Sequence, residues 1–121
     1  MLEELRRLCR DYKSSGVKEK TAFPYQAGVL ELAFTMGTVR AVYRPERPPH
    51  ADESAWKQAA EPFLNAHGLL HDYRDDSYVF STQEGTYLGR MRFDELMFTP
   101  ERFEDKEELL QGLQAFYSSR T

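Results

Sequence analysis

The chain reads as an α+β domain: an antiparallel sheet of five to six strands, made of a hairpin and a three-stranded meander, with helices packed on one face. Three observations predict this. Two stretches alternate apolar and polar residues around turn dipeptides, other stretches repeat apolar residues at helical spacing, and no linker divides the 121 residues into two domains.

The meander runs from Leu69 to Arg92, with turns at Asp75-Asp76 and Glu84-Gly85. Side chains alternate across a strand, so Leu69, His71, Tyr73, Tyr78, Phe80, Thr82, Tyr87, Gly89 and Met91 fall on one face. Leu70, Asp72, Arg74, Ser77, Val79, Ser81, Thr86, Leu88, Arg90 and Arg92 fall on the other. The first set is the expected core and the second is mostly wet. Val29 to Tyr43 forms the second hairpin about Met36-Gly37, with Leu30, Leu32, Phe34, Val39, Ala41 and Tyr43 on its apolar face. Val17 to Phe23 is a weaker edge strand whose lysines would discourage pairing with another chain.

Leu2, Leu5, Leu8, Cys9 and Tyr12 recur at helical spacing until Ser14-Ser15-Gly16 ends the pattern. Pro45, Pro48 and Pro49 stop the second hairpin because proline offers no N–H to a ladder. A helix follows, capped by Asp52, lined by Trp56, Ala59, Ala60, Phe63 and His67, and ended by Gly68. Pro62 predicts a kink in it, or a division into two short helices. Phe93 to Phe98 reads as a helical turn, Thr99-Pro100 as another helix start, and Asp105 with Glu108 as the capping box of a final helix through Tyr117.

Composition narrows the function classes. A net charge of −4 with interspersed acids and bases gives no long-range attraction to phosphate backbones, so nucleic acid is not expected as a partner. Cys9 is the only cysteine, which forbids an intramolecular disulfide and fits a reducing compartment. Met1 to Arg10 is neither a signal peptide nor a spanning segment, and a cytoplasmic protein without membrane contact is expected.

No cofactor fingerprint or nucleophile motif appears, and no cofactor or metal is expected. His67 and His71 have the spacing of a helical metal pair, but Gly68 should put them on different elements. Asp75, Asp76 and Glu84 are explained by turn chemistry. Two candidate sites remain. His71, Tyr73, Tyr78 and Tyr87 could line a pocket between sheet and helices, suited to hydrogen-bonding a small molecule or to acid-base work. Leu70, Val79 and Leu88, with Arg90 and Arg40 at their rim, compose an apolar strip bordered by arginine, as in a modest protein interface.

The element order (helix, two or three strands, helix, three strands, one or two helices) resembles that of small acidic secretion chaperones and related bacterial adaptor folds. The resemblance is one of order and covers no motif. The expected function is that of a non-enzymatic protein-binding domain, such as an adaptor, a dedicated chaperone or an inhibitor, acting on a protein partner or as a homodimer. The alternative is a small-molecule binder or small enzyme using the Tyr/His pocket.

Overall fold

A computed structural model describes residues 2–118, the side chain of Leu2 excepted. The chain runs α1 (Leu2–Ser15), β1 (Thr21–Tyr25), β2 (Gly28–Thr35), β3 (Thr38–Pro45), α2 (Glu53–Ala66), β4 (Leu70–Arg74), β5 (Ser77–Ser81), β6 (Tyr87–Arg92), β7 (Glu95–Phe98), a 3-10 turn (Pro100–Phe103) and α3 (Glu107–Ser118). The α+β class holds, but the sheet has seven strands rather than five or six, in the order β1-β2-β3-β7-β6-β5-β4. Every neighbouring pair is antiparallel.

The additional strand is β7, where the sequence suggested a helical turn. Four residues are too few for either period to dominate, and pairing decides the matter. Ala41 faces Phe98 and Tyr43 faces Leu96 on one side of β7, while Met91 faces Leu96 and Gly89 faces Phe98 on the other. Thus β7 joins the β1–β3 meander to the β4–β6 meander. The first strand of each becomes an edge. At one edge β1 carries Pro24, which is tolerated there because no neighbour needs its N–H. The strand begins at Thr21, so the lysine-bearing segment before it stays outside the ladder.

Turn chemistry sets the hairpin registers. Met36 and Gly37, and again Asp75 and Asp76, take positive φ, the combination that a two-residue turn needs to match strand twist. Asp52 caps α2 by accepting a 2.8 Å hydrogen bond from the Ala55 N–H. Gly68, at φ +67°, donates to Asn65, while Leu69 donates to Leu64, satisfying two carbonyls at the other end. Between these caps α2 runs as one element through Pro62, so the division into two helices does not occur. At α3 the Leu110 N–H bonds to the carbonyl of Lys106, so the helix starts one residue beyond the expected Asp105 cap. Asp105 instead accepts a 3.0 Å bond from Lys106 Nζ.

All three helices bury side chains in one cluster on a single face of the sheet. Leu5 and Tyr12 come from α1, Trp56, Ala60 and Leu64 from α2, and Leu109, Leu110, Leu113 and Tyr117 from α3. They meet Leu30, Leu32, Ala41, Tyr43, Tyr78, Phe80, Met91, Leu96 and Phe98. Specific polar ties fix the layers. The Tyr117 hydroxyl donates to the Arg92 carbonyl at 2.5 Å, and Gln114 donates to the Tyr25 hydroxyl at 2.6 Å. Gly89 is required by this packing, since a Cβ there would lie 2.3 Å from the Met97 carbonyl oxygen and 3.2 Å from the Phe80 ring.

Candidate functional site

The helices leave the second face of the sheet uncovered, and the ladder register says what stands on it. One row across the sheet contains Ala22, Glu31, Val42, Met97, Arg90, Val79 and Asp72. The next places Val29 beside Arg44, and Arg92 beside Glu95. Arg40 and Ala33 pair on the other side of the first row. Val29 is 42% exposed and Leu70 is 47% exposed, whereas Met97 and Val79 are half-buried and Val42 is shielded by its neighbours to 4%. The result is an apolar band through the middle strands, Val42 and Met97 with Val79 beyond Arg90, set among arginines.

Carboxylates on this face are already engaged. Arg44 reaches Glu95 at 2.9 Å and Glu31 at 3.6 Å, and Arg74 reaches Asp72 at 2.7 Å. Arg40, Arg90 and Arg92 form no ion pair among the described residues. Arg40 and Arg90 lie against the sheet with Nε buried and without a hydrogen-bond partner among the described residues. Their stems cover apolar surface, and their guanidinium groups keep donor capacity that the fold does not use.

The expected interface residues are placed unequally. Leu70, Val79, Arg90 and Arg40 stand on the open face as the alternation predicts. Leu88 does not. Phe80 pairs with Gly89 but Ser81 pairs with Tyr87, so Leu88 is an extra residue in a β-bulge. It is 0% exposed and belongs to the core cluster, while Tyr87 is carried to the outside at 38% exposed. Both face assignments are therefore reversed, because the bulge breaks the period of two on which they rested. Met97 was missed for a related reason: the open face acquires it only when β7 is recognised as a strand.

Of the expected pocket residues, His71, Tyr73 and Tyr78 come together and Tyr87 stands apart. Tyr78 packs 4.9 Å from the Tyr73 ring, 5.7 Å from His71 and 5.6 Å from Trp56. Its hydroxyl donates to Glu61 at 2.5 Å. Burial, then the hydrogen bond and charge of Glu61, push the Tyr78 phenol up, so it is a neutral donor at ordinary pH. Lys57 covers the exposed side of Tyr73, 4.0 Å from the ring centre. These contacts make a filled sheet-helix junction. The void between α1, α3 and the sheet, lined by Leu5, Tyr43, Leu96 and Leu113 among others, holds about 20 Å³, about one water, and none of the four expected residues lines it.

A larger cleft of about 440 Å³ lies between α1 and the 3-10 turn, lined by Arg6, Cys9, Arg10, Lys13, Val39, Pro100, Glu101 and Glu104. Among its charged groups, Lys13 pairs with Glu101 at 2.7 Å. Burial, then Glu101, pushes the Cys9 thiol up to about 12, which leaves it protonated and unreactive at neutral pH. His67, the C-cap of α2, packs with its ring tilted against Phe63 at 4.6 Å, while His71 lies in β4. No group of three or more His, Cys, Asp or Glu among the described residues could hold a metal ion.

No helix among the described residues is long and apolar enough to cross a membrane. Comparisons with protein-family models, curated proteins and solved structures returned no match.

Proposed function

We propose that this chain is a non-enzymatic, cytoplasmic protein-binding domain, an adaptor, dedicated chaperone or inhibitor, whose contact surface is the open face of the sheet. One observation carries the reading: all three helices pack on one face of a seven-stranded sheet, leaving on the other an apolar band with arginines that have no ion-pair partner among the described residues. Arginine beside half-buried aliphatic and methionine side chains is the composition enriched at protein interfaces. Met97, between Val42 and Arg90, occupies the centre of the band.

The test compares quantitative retention of cellular proteins on immobilised wild type and Met97→Asp, with thermal melts to show that both are folded. A protein retained stoichiometrically by the wild type and lost from Met97→Asp supports the reading. Retention of the same protein by both would show that binding lies elsewhere.

A further inference from the structure

Taking the open face as the binding surface, we infer that its occupant is an acidic, extended segment of another protein, with carboxylates at alternate positions. The inference rests on that functional reading and deepens it. Five arginines and three carboxylates stand on the face by register, +2 on a chain whose net charge is −4, so the rest of the chain carries −6. Arg44 and Arg74 take all three carboxylates, which leaves Arg40, Arg90 and Arg92 for an incoming partner.

Spacing selects the form of that partner. Arg90 and Arg92 are two residues apart on β6, hence about 7 Å along the strand, the distance that also separates alternate side chains of an extended peptide. Arg40 lies two strands away on β3, about 10 Å across, with β7 between them presenting Met97. Carboxylates on the sheet-facing side of an extended segment can meet Arg90 and Arg92, with the methylene groups of their stems against Met97. Arginine suits this role because its planar guanidinium can pair both oxygens of a carboxylate through its two terminal nitrogens. A second copy of the chain fits poorly, since face-to-face pairing would oppose two surfaces of the same sign.

The test uses short fluorescent peptides of alternating Glu and Val, or Lys and Val, in anisotropy titrations at low and high salt, with an oligonucleotide of matching charge as a third probe. The Glu peptide should bind the wild type, lose affinity with salt, and bind the folded Arg40→Gln/Arg90→Gln double variant at least about tenfold more weakly. Equal binding of the Lys peptide, no binding of the Glu peptide, an unchanged affinity in the double variant, or a preference for the oligonucleotide would overturn the inference. Self-association abolished by Met97→Asp would overturn it too, in favour of a second copy. Failure of this inference is separable from failure of the functional reading. A cellular protein lost from Met97→Asp but kept by the arginine double variant would leave the open face as a binding surface and remove only the acidic segment.

Discussion

Replacing Leu88 by alanine tests the bulge that reorders β6. Leu88 is 0% exposed within the core cluster, so the substitution removes buried methyl and methylene groups worth about 0.8 kcal/mol each and leaves a cavity. The expected loss is about 3 kcal/mol, within the range of about 2–5 for such changes. Leu70 belongs to the same expected strip but is 47% exposed, and Leu70→Ala should cost less than about 1 kcal/mol. Urea denaturation followed by circular dichroism distinguishes them. With a slope of roughly 1–3 kcal/mol per molar, Leu88→Ala should lower the midpoint by about 1–3 M at unchanged slope, and Leu70→Ala by a fraction of that. Equal, small shifts would mean that β6 continues in straight alternation and that Leu88 faces outward.

Two further perturbations probe the core. Gly89→Ala should destabilise strongly, by several kcal/mol and beyond any gain in chain stiffness, because the added Cβ meets backbone at 2.3 Å; a melting temperature within a degree or two of wild type would refute the close packing of β6 on β7. At high pH, burial raises the Cys9 thiol from 9.0 to about 12 and the Tyr25 phenol from 10.0 to about 12. The folded state therefore holds protons that the unfolded chain has released, so stability is intact below about pH 9 and falls as pH rises towards about 12. Urea midpoints across that window should decline, less steeply in Cys9→Ala; a flat profile would contradict the burial of both groups.

The open face was partly legible in the sequence. Strict alternation through β2, β3 and β5 was enough to place Val29, Arg40, Val42, Val79 and their neighbours, because period two depends only on local backbone geometry. The Tyr/His grouping was legible as a face but not as a filled junction, since the partners that fill it, Trp56, Lys57 and Glu61, arrive on α2 from across the fold.

By itself the sequence determined what nearest neighbours along the chain control: the α+β class, the dipeptide turns at positive φ, the Asp52 and Gly68 caps, and the apolar stripe of each helix. Only the tertiary structure decided that Glu95–Phe98 is a strand, that Leu88 is buried and Tyr87 is not, and that three arginines are left without ion-pair partners among the described residues. The reason is common to all three. A four-residue segment, a one-residue bulge and an ion pair are each too small to be specified by their own propensities, and each is settled by the strand that comes to lie alongside.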